Sequence, residues 1–356
     1  MHRADMKVCL PLIVCVMFTL AFNHMPRSAH AGEPAAGQEA LEYPNPLVEQ
    51  RADPWILKHD DGFYYFIASV PEYDRLELRR AKTVAGLAQA EPKVVWQRHQ
   101  QGPMSWHIWA PELHRIDGTW YIYFAAGEAE SPWNIRMWAL SNKAANPLEG
   151  EWDERGQIKT DLDTFSLDAT TFEHRGRRYL IWAQNEPDFD TGTTLRMAEL
   201  ADPTTVKQPI ITISRPELPW ERIGHNVNEG AAVVKRDNRI FVTYSASATD
   251  ENYAMGLLWA DQDANLLDPA SWNKLREPVF QTSERFGEYG PGHNSFTIAE
   301  DGVTTLMVYH ARPYAGTRPD PLSDPNRHAR VKAIGWDADG MPVFGEPGDQ
   351  SAGKSD

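Results

Sequence analysis

The sequence predicts an all-β protein folded as a five-bladed β-propeller, and three observations support this prediction. One pattern of strand, turn and strand recurs five times, at intervals of roughly sixty residues. Each unit joins its first two strands through a short polar turn, and no segment has convincing helical periodicity. Radial repetition of small antiparallel sheets accounts for such a period, and a flat β-sandwich is the alternative fold.

Each unit begins with a small or acidic residue and a short apolar strand, followed by a β-branched and aromatic strand. The two strands cover residues 53–57 and 63–66, 110–114 and 120–124, 168–172 and 178–182, 229–233 and 240–244, and 293–297 and 305–309. The turns between them are hairpin dipeptides or close variants, namely Asp61-Gly62, Asp117-Gly118, Arg175-Gly176, Asp237-Asn238 and Asp301-Gly302. Starting from Asp53, the openings at Glu112, Asp168, Glu229 and His293 follow at intervals of 59, 56, 61 and 64 residues.

The N-terminal 31 residues read as a cleavable signal peptide rather than as part of the fold. Arg3 and Lys7 precede an apolar run over residues 8–22, and Ala29-His30-Ala31 forms an A-x-A cleavage site. The apolar run is too short for a membrane span, and a lipoprotein anchored at Cys15 is the alternative. We therefore expect a secreted or periplasmic protein with one propeller domain, residues 32–344, and a polar, disordered C-terminal tail, residues 345–356.

Composition limits the partners and cofactors. Both cysteines, Cys9 and Cys15, lie in the predicted leader, so the mature chain would have neither a disulfide nor a thiolate metal site. The formal net charge of −15 disfavours nucleic acid and anionic lipid, which are bound by clustered Lys and Arg. The 13 Trp residues fit a sugar ligand, although Trp is also a normal core residue. Motifs of phosphate loops, zinc proteases and serine hydrolases are absent, and we expect no organic cofactor.

The residues that open the first strands carry the candidate chemistry. Asp53, Glu112, Asp168 and Glu229 are acidic, and the fifth opening holds His293. The innermost strands of a propeller line one central channel, where crowded carboxylates disfavour joint ionisation. Capping of turns or pairing with nearby Arg is the alternative explanation. Hydrolysis of a glycosidic bond needs two such groups: one carboxylic acid, and one carboxylate acting as base or nucleophile.

Five motifs occur in an order that resembles glycoside hydrolase family 43, which contains arabinofuranosidases, arabinanases and β-xylosidases. They are Arg51-Ala-Asp-Pro, Trp109-Ala-Pro-Glu-Leu, Leu167-Asp-Ala, Asn228-Glu-Gly and Gly290-Pro-Gly-His, within about residues 43–344. The resemblance implies hydrolysis with inversion on a five-bladed propeller. It also implies that Asp53 is the general base, that Glu229 is the general acid, and that Asp168 orients this acid and raises its pKa.

The resemblance extends to further residues. It implies that His293 reaches a hydrated calcium ion in the central channel, held mostly by water because imidazole is an unusual calcium ligand. Arg312 is similar to the family arginine that contacts the sugar, and an ion pair is the alternative. Trp106 or Trp109 would form an apolar wall of the pocket. Gln184 could bind a sugar hydroxyl or be a satisfied loop amide, and Glu112 resembles a structural glutamate of the family.

The segment from Trp106 to His114 looks most like the exo-acting arabinofuranosidase branch of the family. We therefore expect a secreted, inverting α-L-arabinofuranosidase that releases arabinose from α-1,5-arabinan or arabino-oligosaccharides. A β-xylosidase or an endo-arabinanase would use the same three acids. A sugar-binding propeller without catalysis is the alternative from another class; it would have no need of all three carboxylates.

Overall fold

Each sequence unit forms one antiparallel sheet in the computed structural model, which describes residues 43–187 and 192–350. The predicted leader, residues 1–31, lies outside the described residues, as do residues 351–356 of the predicted tail. The five sheets are the blades of a β-propeller, so the predicted fold is confirmed.

The first three blades follow one another along the chain, each beginning with its innermost strand. The first comprises β1 (Ala52–Lys58), β2 (Tyr64–Ser69), β3 (Arg75–Ala81) and β4 (Lys93–Gln97). The second comprises β5 (Pro103–Ile116), β6 (Thr119–Glu128), β7 (Ser131–Asn142) and β8 (Asp153–Gln157). The third comprises β9 (Ser166–His174), β10 (Arg177–Gln184), β11 (Thr194–Asp202), β12 (Thr205–Val206) and β13 (Ile211–Ser214), with both β12 and β13 paired to β11.

The last two blades complete the ring. The fourth comprises β14 (Asn228–Arg236), β15 (Arg239–Ala246), β16 (Ala254–Asp261) and β17 (Asn273–Lys274). The fifth comprises β18 (Tyr289–Ile298), β19 (Thr305–Arg312) and β20 (His328–Ala333), followed by the hairpin of β21 (Gly335–Trp336) and β22 (Pro342–Val343). In residues 43–187 and 192–350, the helical segments are short 3₁₀ turns at Ala85–Ala88, Pro219–Glu221 and Pro269–Ser271.

The segment before the first blade adds a short edge to the fifth. Val48 pairs with Ala329 of β20 in an antiparallel bridge, and the Ala329 amide donates to the Val48 carbonyl at 2.9 Å. This contact covers the outer edge of the three-stranded last blade and joins the two ends of the ring. Covering an exposed strand edge also removes a site for pairing with another chain.

The second strands of the blades are buried on both faces. All six residues of β2 and all eight of β19 are buried, because neighbouring blades pack against both sides of each sheet. Such strands read as continuous apolar and aromatic runs rather than as alternating patterns, and this explains the five aromatic segments in the sequence. Burying one large apolar side chain contributes about 1.5–3 kcal/mol, so this packing supplies the main stabilisation of the ring.

The innermost strands all contain a β-bulge. The register breaks there in β1, β5, β9, β14 and β18, and one residue of each bulge has positive φ: Asp53, Ala110, Asp168, Gly230 and His293. The prediction that Glu112 is the second-blade equivalent of Asp53 is therefore wrong, since Ala110 has that place. Glu229 lies one residue before its bulge. A bulge inserts an extra residue into one strand, and sequence spacing does not reveal where.

The described part of the C-terminal tail differs from the expected disorder. Lys332 donates from Nζ to the Glu346 carbonyl at 2.5 Å, and Gln350 donates from Nε2 to the Val331 carbonyl at 3.1 Å. Residues 345–350 therefore pack on the fifth blade. Within the described ranges, no helix has the length and apolar character needed to cross a membrane.

Candidate active site

The bulges of the innermost strands surround a cavity of about 540 Å³ at one mouth of the central channel. Of the predicted site residues, the structure brings five together in its lining: Asp53, Trp109, Asp168, Glu229 and His293. A volume in this range is typical of small-molecule pockets. Three of the five blades thus supply an acidic or imidazole side chain from the positive-φ residue of the bulge, namely Asp53, Asp168 and His293. The second and fourth blades supply Trp109 and Glu229 from the residue directly before the positive-φ residue.

His293 connects two of the acids. Its Nδ1 atom lies 3.3 Å from Asp53 Oδ1 and 3.9 Å from Asp168 Oδ2. Asp168 Oδ2 also accepts a hydrogen bond of 2.9 Å from the backbone amide of Gly230, the residue after Glu229. The backbone of the fourth blade and the carboxylate of the third are thereby fixed to each other.

Asp53 is held in its ionised form. Burial opposes ionisation, but His293 and the guanidinium of Arg327 hold the pKa of this carboxyl well below its usual range. Arg327 Nη1 lies 3.4 Å from Oδ1, and Ser69 donates from Oγ to Oδ2 at 2.6 Å. The Ser69 hydroxyl itself accepts the Ala110 amide at 2.8 Å, so its own proton points to Asp53.

The other two acids are harder to ionise. Burial raises the pKa of Asp168 well above its usual range, and the neighbouring carboxylates of Glu229 and Asp53 raise it further. Burial raises the pKa of Glu229 to about 7, although a hydrogen bond from Tyr253 acts in the opposite direction. The cavity thus combines a carboxylate, Asp53, with a carboxyl pair that retains a proton near neutral pH.

Several cavity residues were not predicted from the sequence, among them Trp133, Tyr253 and Arg327. Tyr253 lies directly before β16, and Arg327 directly before β20, so neither occupies a repeat position. Trp133 lies near the start of β7 and is 60% exposed. Its exposure was not visible in the sequence. The Pro-rich stretch of residues 313–327 was the available signal for Arg327, because it predicts an unusually long connection between strands.

Arg312, predicted to contact the sugar, does not line the cavity. It is 2% exposed, lies 3.5 Å through Nε from Asp324 Oδ2, and donates from Nη2 to the Pro321 carbonyl at 2.8 Å. The alternative of an ion pair therefore describes it, and this pair is buried. Arg312 fastens the connection of residues 313–327, whose segment from Asp320 to Leu322 forms one wall of the cavity.

Gln184 and Trp106 are absent from the cavity wall, so neither is placed to contact a sugar there. The alternative of a satisfied amide describes Gln184, and of the two Trp residues it is Trp109 that lines the cavity. Gln184 is fully buried and satisfied, since it accepts the Trp182 indole at 2.7 Å and donates to Thr160 and Leu162. Trp106 lies outside the cavity, 38% exposed, with its indole 3.1 Å from a ring nitrogen of His107. The sequence position of a Gln at a strand end, or of a Trp next to a motif, does not reveal which way the side chain points.

Glu112, predicted to be structural, lies outside the cavity lining, and Glu112 Oε2 is 2.9 Å from His114 Nε2.

The implied calcium ion finds no set of protein ligands. Among the described residues, no group of three or more His, Cys, Asp or Glu side chains could hold a metal ion. His293 turns Nδ1 toward Asp53, and a single imidazole is a poor calcium ligand. The side chains present therefore do not fit calcium as direct ligands, and the chemistry below uses only the side chains of the chain.

Comparison with known proteins agrees with this geometry. The extracellular exo-alpha-(1->5)-L-arabinofuranosidase of Streptomyces avermitilis is 52% identical over 341 residues, which are 96% of this chain and 70% of the relative. The alpha-L-arabinofuranosidase 43 of Humicola insolens is 53% identical over 314 residues, which are 88% of this chain and 65% of the relative. This chain therefore spans somewhat less than two thirds of the Humicola protein.

Solved structures give the same result. The crystal structure of the alpha-L-arabinofuranosidase from Lactobacillus brevis superposes with a TM-score of 0.84 at 51% sequence identity, covering 87% of this chain and 98% of that one. The model of the glycosyl hydrolases family 43 matches residues 43–342, which include all five blades. The chain belongs to glycosyl hydrolase family 43.

Proposed function

We propose that the protein is a secreted, exo-acting α-L-arabinofuranosidase that releases arabinose from α-1,5-arabinan or arabino-oligosaccharides with inversion. One observation carries the proposal: an ionised Asp53 and a Glu229 that keeps its proton near neutral pH line the same sugar-sized cavity. The names of the Streptomyces and Lactobacillus relatives support the substrate.

The two carboxyl groups have complementary tasks. Asp53 accepts a proton from water as the water attacks the anomeric carbon, while Glu229 donates a proton to the departing glycosidic oxygen. Their different surroundings suit these tasks, since Arg327 favours the charged form of Asp53 and burial disfavours that of Glu229. Asp168 forms a carboxyl pair with Glu229, in which the charge of Glu229 raises the pKa of Asp168, and its bond to the Gly230 amide positions the backbone beside the acid.

The cavity walls account for sugar binding. Trp109 forms a buried apolar wall, and Trp133 offers an exposed indole face at the rim, with its ring 6.1 Å from that of Trp109. Such faces pack on the apolar faces of sugar rings. The segment from Asp320 to Leu322 closes one side of the cavity, and this closure favours cleavage at a chain end over cleavage within the chain.

Two further features remain predictions. Secretion rests on the N-terminal leader and on the extracellular relatives from Streptomyces, and N-terminal sequencing of the secreted protein tests it. A hydrated calcium ion near His293 rests on the family resemblance, and elemental analysis of the purified protein tests it. No step of the proposed reaction passes through a metal ion.

The proposal is tested by incubating the purified protein with nitrophenyl α-L-arabinofuranoside, nitrophenyl β-xyloside and linear arabinan in parallel. We expect hydrolysis of the arabinofuranoside and release of single arabinose units from arabinan. Proton NMR of the first product should detect β-arabinose, because an inverting displacement reverses the α linkage. Preferred cleavage of the xyloside would identify a β-xylosidase, and early release of long oligosaccharides would identify an endo-arabinanase. Initial α-arabinose would contradict the role of Asp53.

A further inference from the structure

Tyr253 makes the one hydrogen bond that the side chain of Glu229 receives among the described residues. Its hydroxyl donates to Glu229 Oε1 at 2.9 Å, and the side chain is 1% exposed. Burial and the surrounding carboxylates raise the pKa of Tyr253 well above its usual range, so the phenol keeps its proton and acts as the donor. No described side chain donates to the second oxygen, Oε2.

The Gly-Pro-Gly-His motif leaves room for Tyr253. A Cβ atom at Gly292 would lie 2.5 Å from Tyr253 Cε1, and one at Gly290 would lie 2.0 Å from the carbonyl oxygen of Asp250. Tyr253 in turn donates its amide to that same carbonyl at 3.2 Å. A side chain at either glycine would displace Tyr253 or the turn before it. The two glycines therefore allow the Tyr253 hydroxyl to lie beside Glu229.

The ring of Tyr253 also connects the two reacting carboxyl groups. It stacks on His310 with 5.7 Å between ring centres and an angle of 6° between planes. His310 Nδ1 accepts the backbone amide of Asp53 at 3.0 Å. The rigid stack therefore fixes the Tyr253 hydroxyl relative to the backbone of Asp53.

We propose that Tyr253 is a positioning residue that assigns the proton of Glu229 to Oε2, the oxygen left for the glycosidic bond. A carboxylic acid carries its proton on one oxygen, and Oε1 is already occupied as an acceptor of the Tyr253 hydroxyl. The inference rests on the proposed role of Glu229 as general acid.

The assignment has a consequence during the reaction. As the bond between the anomeric carbon and the glycosidic oxygen breaks, the Oε2 proton passes to that oxygen and Glu229 becomes a carboxylate. The hydrogen bond from Tyr253 to Oε1 then has a charged acceptor, and such bonds are roughly twice as strong as neutral ones. Tyr253 therefore stabilises the Glu229 carboxylate, which forms on proton transfer, more than the protonated acid.

The same blade supplies a matched control. Tyr244 donates from its hydroxyl to Glu221 Oε1 at 2.7 Å and is fully buried, but neither residue lines the cavity. Tyr244→Phe and Tyr253→Phe each remove one buried hydroxyl from one glutamate and keep the ring. Only the second removes it from the proposed acid.

The test measures kcat and KM of both variants on two arabinofuranosides, one with a nitrophenol and one with a dinitrophenol leaving group. For Tyr253→Phe we expect kcat to fall about tenfold to a hundredfold on the nitrophenyl substrate, where proton donation helps departure. On the dinitrophenyl substrate it should fall less than about threefold, and KM should change little on both. Tyr244→Phe should show no such difference between substrates.

A pH profile supplies a second readout. The titratable and charged groups that line the cavity with Glu229 are Asp53, Asp168, His225, Tyr253, His293, Asp320 and Arg327. A donated hydrogen bond favours the ionised form, so removing the Tyr253 hydroxyl should raise the pKa of Glu229 and move the alkaline limb to higher pH. This shift should be missing in Tyr244→Phe.

Equal losses on both substrates, or an unmoved alkaline limb, would overturn the proposal for Tyr253. If Glu229→Ala still discriminates between the two leaving groups in that case, the proposed function stands. If Glu229→Ala also fails to discriminate, the role of Glu229 itself is wrong. Thermal unfolding midpoints of the two Phe variants establish that both are folded at the assay temperature.

Discussion

Two glutamates of the same region, Glu221 and Glu229, have opposite surroundings. Glu221 is fully buried and receives hydrogen bonds from Tyr244, Lys274 and Asn228 to Oε1, at distances of 2.7, 2.6 and 3.2 Å. The backbone amides of residues 217 and 218 donate to Oε2. Both oxygens of the Glu221 carboxylate thus accept hydrogen bonds, and the Lys274 ammonium is in direct contact with Oε1.

Glu229 lacks this compensation. Tyr253 is its one described donor, and the carboxyl groups of Asp53 and Asp168 lie in the same cavity. Its pKa is raised to about 7, chiefly by burial. The contrast indicates that a buried carboxylate with a full set of donors serves stability. A buried carboxylate that has few hydrogen-bond donors and lies among like charges costs stability, and its presence indicates a chemical role.

The largest expected effect is on catalysis. Glu229→Ala should lower kcat on arabinan about 10²–10⁴-fold, because the alkoxide leaving group needs a proton. The same variant should retain far more activity on a dinitrophenyl arabinofuranoside, whose leaving group departs unaided. Asp53→Ala should be inactive on both, since the attacking water still needs a base. Steady-state kinetics on the two substrates measure the difference.

Glu221→Gln provides the control for this experiment. It changes a buried glutamate of the same blade to an amide but leaves the cavity lining intact, so the ratio of the two activities should stay at the wild-type value. Equal losses on both substrates for Glu229→Ala would mean that Glu229 is not the general acid.

The sequence was sufficient for the fold because each blade repeats one pattern of aromatic and β-branched strands. The strand β2 and the strand β19 are buried on both faces, so their apolar runs are long and easily aligned. The positions of the bulges were not predictable. One extra residue in a strand changes the sheet face to which the following side chains point, and it leaves no mark in the residue types of the strand. Glu112 was therefore aligned with Asp53, although Ala110 holds that place.

The site was predictable where its residues lie on the repeat. Asp53, Asp168 and His293 occupy bulges of innermost strands, and Glu229 lies directly before one. Arg327, Tyr253 and Trp133 come from connections or strand starts outside the repeat, and no spacing rule locates them. For Arg312, the chemical type was right for sugar binding, but the long connection places Arg327 in the cavity instead.

An intermediate effect is expected on stability, with opposite signs for the two glutamates. Glu221→Ala should lower the free energy of unfolding by about 3–5 kcal/mol, because it removes the counter-charge of the half-buried Lys274 and the acceptor of the buried Tyr244 hydroxyl. Glu229→Gln should raise it by about 0.5–2 kcal/mol at pH 8, since a neutral side chain replaces one that resists ionisation. Denaturant unfolding of both variants at fixed pH provides the values.

The stability gain expected for Glu229→Gln depends on pH. Its folded pKa of about 7 lies above the unfolded value of 4.5, so its carboxyl costs almost no stability at pH 4. The cost grows as the pH rises from the unfolded pKa to the folded one and is complete above it. The gain from Glu229→Gln should accordingly vanish at pH 4. A loss of stability in this variant at pH 8 would show that Glu229 is as well compensated as Glu221.

The smallest expected effect is a shift in the pH profile on removing one neighbouring charge. The charge of Glu229 raises the pKa of Asp168. Because repulsion between two carboxylates is mutual, Asp168→Asn should lower the pKa of Glu229 and move the alkaline limb of kcat to lower pH. The amide can still accept the Gly230 hydrogen bond, so the backbone beside the acid should stay in place. The acid limb should move less, because Arg327 and His293 remain next to Asp53. The measurement compares the pH profiles of kcat for the wild type and Asp168→Asn on the nitrophenyl substrate. An unmoved alkaline limb would mean that Asp168 is still protonated at the pH at which Glu229 ionises.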